Sequence, residues 1–287
     1  MACAVLGPHG TFSEEAANRY WGQREDIMVA TSIPQVFTLV ESGKVDEALV
    51  PLENSLAGTV KATIQCLRNS QLTIQGEILL PIRQDLLGGR RYELGEVELL
   101  ISQPIALMQC QTFVSRHLPG VRTEICDSTS QAALTLRQET RKAVSIGNRQ
   151  AASIYGLEII YPDIAEEGNA TRFIHIGREK KETFGDKASI IFALPDRAGA
   201  LYEVLGVFAR RNLNLSKIES YPGQNAGAGY YFYIEVDTPT GEDLQPVLEE
   251  LQELCSYIRY LGSYRRLNSK GVSTIVGVDP CVCPAEP

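Results

Sequence analysis

Residues 2–16, ACAVLGPHGTFSEEA, contain an apolar run at 2–6, a glycine-rich turn and a polar segment that begins a helix. Thr11, followed three residues later by Glu14, is typical of a helix N-terminus with a capping box. The same unit, an apolar run followed by a capped helix, recurs up to about residue 177. It predicts an α/β fold with a mainly parallel sheet.

The strands of this predicted sheet are the apolar runs at 2–6, 27–31, 46–51, 97–101, 122–126 and 143–147. Ser32 before Pro34, and Ser128 before an Ala/Leu face, predict two further helix starts. In open α/β sheets, ligands bind beyond the carboxyl ends of the strands, where free N–H groups of helix N-termini attract anions. We therefore expect a binding site in the loops that follow these strands.

A different pattern begins after the polar segment at 178–187, REKKETFGDK, which we interpret as a domain linker. Its predicted elements are a strand at 188–194, a helix around 201–209, strands at 214–221 and 229–237, a helix at 244–254 and a strand at 257–263. The order βαββαβ is typical of the ferredoxin-like plan, with helices on one face of an antiparallel sheet. The predicted domains are residues 1–180 and 186–265, with a tail at 266–287.

Composition excludes several classes of function. The 287 residues fit two domains, and the 35 acidic against 27 basic residues, with no basic stripe, argue against nucleic acid as a partner. The opening segment lacks the pattern of a secretory signal, and no apolar run of about 18 residues follows, so we expect no membrane association. The seven cysteines are scattered, except that Cys281 and Cys283 are close in sequence in the tail. This distribution predicts reduced thiols and a cytoplasmic location.

Four polar clusters could carry chemistry: GPHGTFSEEA (7–16), VPLENSLAGTV (50–60), the stretch from Ser102 through ICDSTS (125–130), and GNATRFIHIG (168–177). Each also has an ordinary structural explanation, namely a capped turn, an Asx turn, a helix cap and a strand start. Alternatively, the carboxamide and hydroxyl of the second cluster hydrogen-bond an anionic ligand. Composition alone gives the fourth cluster no catalytic role. No metal-ligand set or phosphate-binding glycine loop is present, so no cofactor is predicted.

Together with YGL at 155–157, these clusters resemble the prephenate dehydratase family in order and separation over residues 1–177. The segment PDRAGALYEVLGVFARRNLNLSKIESYP (195–222) is similar to the regulatory ACT domain that is normally attached to that enzyme. The resemblance implies a catalytic region of two α/β lobes facing each other across a cleft, like type 2 periplasmic binding proteins. A ferredoxin-like ACT domain would follow it.

The resemblance also implies an activity, the decarboxylating dehydration of prephenate to phenylpyruvate, inhibited by phenylalanine in a homodimer or homotetramer. Thr171 would donate to the leaving hydroxyl. The residues implied in substrate binding are Thr11, Asn54, Ser55, Ser102, Gln109, Arg172 and Phe173. Arg172 has two equal interpretations, a carboxylate clamp or a support for its loop. The residues implied in effector binding are Gly199, Ala200, Leu201, Asn214, Leu215, Glu219 and Ser220.

Three positions depart from the family pattern. Asp127 stands where some members have glutamate, Gln84 where many have histidine, and Tyr221 where ESRP has arginine. The first departure argues against an acidic role for Asp127. The third, at Tyr221, argues against the usual response to phenylalanine. Two alternatives stay open: arogenate dehydratase, whose substrate has an amino group in place of the keto oxygen, and a noncatalytic regulator that binds an aromatic amino acid.

Overall fold

The computed structural model describes residues 2–178, 185–223, 229–238 and 244–265. The predicted tail at 266–287, including the Cys281 and Cys283 pair, lies outside these residues, as does most of the predicted linker. In the described part of the chain, no helix is long and apolar enough to span a bilayer.

The first lobe is built from residues 3–81 and one later strand. Its strands are β1 (Cys3–Leu6), β2 (Ile27–Ala30), β3 (Glu47–Asn54), β4 (Gly58–Thr59) and β5 (Thr73–Pro81), and its helices are α1 (Phe12–Trp21), α2 (Ile33–Glu41) and α3 (Lys61–Asn69). The predicted caps of two helices are confirmed, because the Thr11 hydroxyl accepts from the Glu14 N–H and the Ser32 hydroxyl from the Gln35 N–H.

The second lobe occupies residues 85–161. Its strands are β6 (Asp85–Gly88), β7 (Leu99–Ser102), β8 (Arg122–Ile125), β9 (Ala143–Gly147) and β10 (Glu158–Tyr161), and its helices are α4 (Pro104–Gln109), α5 (Gln111–His117), α6 (Thr129–Gln138) and α7 (Arg149–Tyr155). A short 3₁₀ turn, Leu94–Glu96, precedes β7. The chain then returns to the first lobe as β11 (Ala170–Gly177), between β3 and β5.

The expected two-lobed α/β plan is confirmed, but the prediction of a mainly parallel sheet was wrong, because the sheets of both lobes are mixed. The first has the order β2-β1-β3-β11-β5, with β11 antiparallel to both neighbours. The second has the order β10-β6-β9-β7-β8, with β6 antiparallel to β9 and β10. Strands β5, β6 and β10 were not predicted. In β5 the buried Glu77 interrupts the apolar run that would have indicated a strand.

The predicted βαββαβ order of the C-terminal domain is confirmed. Its elements are β12 (Lys187–Ala193), α8 (Ala200–Arg210), β13 (Asn214–Pro222), β14 (Tyr230–Asp237), α9 (Gln245–Leu254) and β15 (Tyr257–Tyr264). They form an antiparallel sheet with the order β13-β14-β12-β15. Apolar side chains of α8 and α9 cover one face of the sheet.

The other face of this sheet packs on the first lobe. Tyr221, Tyr231 and Tyr233 belong to the same hydrophobic core as residues of α2, α3 and β3. Gly262 has a φ of 126°, and a Cβ there would lie 2.6 Å from the Ile74 carbonyl oxygen, so only glycine allows β15 to approach β5 this closely. The C-terminal domain is therefore joined to the first lobe by a continuous core, which the sequence did not indicate.

Candidate active site

A cavity of about 910 Å³ lies between the two lobes, as the two-lobed plan requires. Its wall includes the N-termini of α1 and α2 from the first lobe and of α6 from the second, each capped by a hydroxyl. The Ser128 hydroxyl accepts from the Gln131 N–H at 3.0 Å, which confirms the predicted cap of α6. Three helix N-termini thus place free N–H groups and partial positive charge around one cavity.

The cavity wall is nearly free of charged side chains. Among the described residues that line it, only Asp127 is ionisable. Its other polar groups are hydroxyls and carboxamides, including Thr11, Gln84, Gln109 and Thr171. An anionic ligand would therefore be held by helix N-termini and neutral donors, a mode of binding that needs no lysine or arginine.

Thr171 and Asn54 form the central pair of this wall. They lie opposite each other on the antiparallel strands β11 and β3, and the Asn54 amide nitrogen donates to the Thr171 hydroxyl oxygen at 2.9 Å. The strand register shifts after the next pair, Arg172 and Glu53, so that Phe173 lies opposite Pro51. Such β-bulges redirect side chains and are common beside functional sites.

The orientation of the Asn54 amide is fixed by backbone donors. Its carbonyl oxygen accepts from the N–H groups of Leu56 at 3.0 Å and Ala57 at 2.9 Å, so its NH₂ group must face Thr171. Among the described residues, the Thr171 hydroxyl has this donor and no acceptor of its own. Its hydroxyl hydrogen is thus available to a ligand in the cavity.

A chain of carboxamides connects the two lobes behind this pair. The amide nitrogen of Gln84 donates to Gln109 at 3.1 Å, and Gln109 of α4 donates to the Asn54 carbonyl oxygen at 3.4 Å. Two buried polar atoms near the chain, Gln84 Oε1 and Asn169 Nδ2, have no hydrogen-bond partner within the described structure. Buried polar atoms are normally paired, so these two are available to a ligand or to water.

Cysteine thiolate chemistry is not supported beside this cavity. Cys110, directly after Gln109, is fully buried, and burial raises the pKa of its thiol to about 12. Burial also raises the pKa of Cys126, which precedes Asp127. Both thiols are therefore protonated at neutral pH, and the thiol is a poor nucleophile.

Five of the eight residues predicted for the catalytic site lie on the cavity wall, namely Thr11, Asn54, Gln109, Thr171 and Phe173. Two serines do not. The Ser55 hydroxyl is exposed and bonds the 168–170 loop, donating to the Gly168 carbonyl at 2.8 Å and accepting from the Ala170 N–H at 3.0 Å. Ser102 is fully buried beneath its loop. Both residues hold loops rather than facing the cavity.

Arg172 also lies outside the described cavity wall, so its position does not support the first of its two interpretations, a carboxylate clamp for substrate. Successive side chains of a strand point to opposite faces, so Thr171 facing the cavity turns Arg172 away from it. Its guanidinium donates to Glu53 at 2.8 Å, Glu77 at 2.9 Å and Glu235 at 2.7 Å. These contacts support the alternative role, in which Arg172 holds the strand.

The residues predicted for effector binding divide into two groups. Gly199 caps α8 with a φ of 85°, and Ala200 and Leu201 begin that helix. On β13, Asn214 donates to Asp237 at 2.8 Å, Leu215 packs under the helices and Ser220 is exposed. Glu219 points to the first lobe instead, where its carboxylate accepts from Thr59 at 2.6 Å. Glu219 is therefore engaged between domains rather than with the Gly199 turn.

Tyr221, the departure from the family pattern, faces the first lobe as well. Its ring stacks on Tyr231 with a centroid separation of 5.3 Å, and its hydroxyl donates to Glu219. Burial, and then the Glu219 carboxylate, raise the pKa of Tyr221, which therefore stays neutral. Tyr221 therefore belongs to the contact between the domains.

Several polar residues of the cavity wall were not among the predicted site residues, although some of them lie in the polar clusters of the sequence. They are Ser13, Thr31, Thr59, Gln84, Gln103, Thr129 and Gln131. Most lie within three residues of a helix start, and four of them lie beside the predicted caps of α1, α2 and α6. Position relative to a cap is therefore the signal that could have found them.

The chain is similar to known proteins over most of its length. The prephenate dehydratase family model matches residues 3–181, and the ACT domain model matches residues 188–256. A prephenate dehydratase of Lactococcus lactis is 36% identical over 274 residues, covering 92% of this chain and 97% of the relative. An arogenate dehydratase of Petunia hybrida is 32% identical over 283 residues, and the match covers 92% of this chain and 71% of the relative.

Two solved structures are similar over nearly the whole chain. A prephenate dehydratase from Arthrobacter aurescens, in complex with L-Phe, superposes with a TM-score of 0.85 at 32% identity, covering 93% of this chain and 90% of that one. A protein described as a quorum-quenching acylase superposes with a TM-score of 0.81 at 25% identity, covering 96% and 99%. The similarity to this acylase shows that the fold alone does not determine the reaction. The family is therefore assigned from the sequence matches. The chain belongs to the prephenate dehydratase family and carries a C-terminal ACT domain.

Proposed function

We propose that this chain converts prephenate to phenylpyruvate, carbon dioxide and water. The ring carboxylate leaves as carbon dioxide, its bonding electrons complete the aromatic ring, and the ring hydroxyl leaves as hydroxide, which takes up a proton. Aromatisation makes the step favourable, so the protein must orient the substrate and supply the proton. The observation that carries this proposal is the Thr171 hydroxyl, oriented by Asn54 with its own hydrogen available to the cavity.

In this proposal Thr171 donates to the departing hydroxyl. A threonine hydroxyl is a weak acid, so the proton is replaced from water as it leaves and the residue acts by position. General acid catalysis of this kind contributes roughly 10²–10⁴-fold. The competing proton source is Asp127, the one ionisable group among the described residues of the wall.

The two carboxylates of prephenate would be bound without a cationic side chain. The N-termini of α1, α2 and α6 supply N–H groups and partial positive charge, and Thr11, Asn54 and Gln109 supply neutral donors or orient them. Phe173 gives the wall an apolar surface for the ring. We assign this chemistry to residues 1–180 and regulation to residues 186–265.

Phenylalanine is the proposed effector of the ACT domain. The support is the ACT match and the similar Arthrobacter protein described in complex with L-Phe. The proposed contacts are the turn at Gly199, Ala200 and Leu201 with Asn214 and Leu215, in a cytoplasmic homodimer or homotetramer. Calorimetry with phenylalanine tests this proposal, and no heat of binding at millimolar phenylalanine would mean that the site does not function.

Incubation of the purified chain with prephenate and, separately, with arogenate tests the reaction. We expect phenylpyruvate from prephenate at the higher kcat/KM. A higher kcat/KM with arogenate, giving phenylalanine directly, would establish arogenate dehydratase, of which similar proteins are known. If the chain binds prephenate or arogenate but converts neither, the result would favour the noncatalytic regulator.

A further inference from the structure

Buried charged side chains lie between the ACT domain and the first lobe. They are on the face of the first-lobe sheet that points away from the cavity. We define the interdomain ion cluster as Glu53, Glu77 and Arg172 of the first lobe with Lys187 and Glu235 of the ACT domain. Lys187 lies 3.0 Å from Glu77 and 3.3 Å from Glu235. Arg172 contacts all three carboxylates, so it is the centre of the cluster.

The backbone joins this cluster directly to Thr171 and Asn54. Arg172 follows Thr171 on β11, Glu53 precedes Asn54 on β3, and each pair occupies the same register across the two strands. Thr171 and Asn54 therefore face the cavity while Arg172 and Glu53 face the ACT domain. A rotation of either strand that moved the outer pair would move the inner pair as well.

Burial makes the geometry of this cluster restrictive. The side chains of Glu77 and Glu235 are 1% and 3% exposed, so each must be paired to be stable as an ion. Burial lowers the pKa of Arg172, but Glu235 and Glu77 more than offset this effect and the net pKa is raised. Burial raises the pKa of Glu235, and Arg172 and Lys187 lower it to below its ordinary value. Arg172 and Glu235 are thus charged at neutral pH.

The ACT domain also fixes the orientation of its own carboxylate. The Tyr233 hydroxyl donates to Glu235 Oε1 at 2.8 Å, and Ser189 lies 3.1 Å from the same hydroxyl. A second contact links the domains beside the cluster, where Lys217 of β13 lies 2.8 Å from Glu53. The carboxylates that hold Arg172 are therefore set partly by residues of the regulatory domain.

We propose that Glu235, oriented by Tyr233, is a positioning residue for catalysis: through Arg172 it sets the orientation of Thr171 and Asn54, so that the ACT domain completes the active site. This inference rests on the proposed dehydratase activity. It predicts that the catalytic lobes depend on the ACT domain for turnover even when phenylalanine is absent. The lobes alone would bind the substrate with an incorrectly oriented hydroxyl.

The test measures kcat and KM for prephenate in the full-length chain carrying Glu235→Gln, Glu235→Asp or Tyr233→Phe. We expect Glu235→Gln to lower kcat by about 10- to 100-fold with KM within about twofold, because orientation is lost and binding is kept. Glu235→Asp keeps the charge and should restore part of kcat. Tyr233→Phe removes only the hydroxyl, so it should fold even where Glu235→Gln does not, and should lower kcat by a smaller factor.

The same substitutions made with Thr171→Ala separate positioning from general damage. If Glu235 acts through Thr171, Glu235→Gln and Tyr233→Phe change the residual kcat of Thr171→Ala by less than about twofold. An equal fold-loss in both backgrounds, or wild-type kcat in folded Glu235→Gln, overturns the inference. The matched control is Glu253→Gln, because Glu253 is an exposed glutamate on α9. Its kcat and KM should equal those of wild type. Wild-type chain that forms no phenylpyruvate would instead refute the proposed function.

Discussion

Asn54 donates to the Thr171 hydroxyl while its own carbonyl oxygen accepts two backbone N–H groups. The direction of the hydrogen bond between the two side chains is therefore fixed by the local backbone. It leaves the hydroxyl hydrogen of Thr171 for the cavity, which is what proton donation requires. In the proposed mechanism, Thr171 therefore acts through the direction of this hydrogen bond rather than through its acidity.

Reversing that polarity should stop most turnover. In Asn54→Asp a carboxylate oxygen replaces the donor nitrogen, so the Thr171 hydroxyl donates to this new carboxylate instead of to the substrate. We expect kcat to fall on the order of 100-fold, measured by phenylpyruvate formation. Asn69→Asp, the same change at an exposed position at the end of α3, is the control. Wild-type kcat in Asn54→Asp would show that the direction of this bond is unimportant.

At the scale of elements, the capped helices are the proposed binding site for the negative charges of the substrate. The hydroxyls of Thr11, Ser32 and Ser128 each bond an N–H of the first turn, and each of these helices opens onto the cavity. Capping stabilises each helix and also fixes which N–H groups stay free for a ligand. Stability and anion binding are therefore linked at these three positions.

Ser128→Ala should weaken both properties. We expect about 1 kcal/mol less free energy of unfolding, from the lost cap, and a KM for prephenate raised roughly two- to fivefold. The matched control is Asn148→Ala, which removes the cap of α7, a helix whose N-terminus is not on the described cavity wall. Urea unfolding and steady-state kinetics measure the two effects. A KM raised equally in both variants would mean that α6 has no special role in binding.

Caps and apolar runs were sufficient to predict most elements of this chain, including α1, α2, α6 and the complete βαββαβ order. The strands that could not be predicted, β5 in particular, owe their positions to long-range pairing. Glu77 is buried in β5 because Arg172 and Lys187 neutralise it, and both are more than 90 residues away in sequence. Local pattern cannot reveal such a partner. For the same reason the sequence left two interpretations of Arg172 open, of which its ion pairs support the role of holding the strand.

At the scale of the whole molecule, the two domains share one core and one ion cluster. The pKa of Glu235 lies below its ordinary value of 4.5 in the folded chain, where Arg172 and Lys187 outweigh the effect of burial. On acidification the unfolded chain takes up this proton first. The stabilisation is therefore complete above about pH 4.5 and is lost as pH falls through the lower folded-state pKa.

Stability should thus depend on pH through the contact between the domains. We expect the free energy of unfolding of wild type to fall more steeply below about pH 4.5 than that of Glu235→Gln, which lacks the titrating group. Urea unfolding between about pH 3 and pH 7 measures this difference. Glu253→Gln, which leaves the cluster intact, should follow wild type. Parallel curves for wild type and Glu235→Gln would exclude a lowered pKa at Glu235.

Turnover of prephenate by Thr171→Ala tests the central claim, that an oriented alcohol in the cavity assists the departure of hydroxide. The account predicts a folded variant that binds prephenate with nearly unchanged KM and loses about 10²–10⁴-fold in kcat, whereas Thr171→Ser and Asp127→Asn keep most of their activity. Unchanged phenylpyruvate formation by Thr171→Ala, with activity abolished in Asp127→Asn, would contradict it and assign the proton to the carboxyl group.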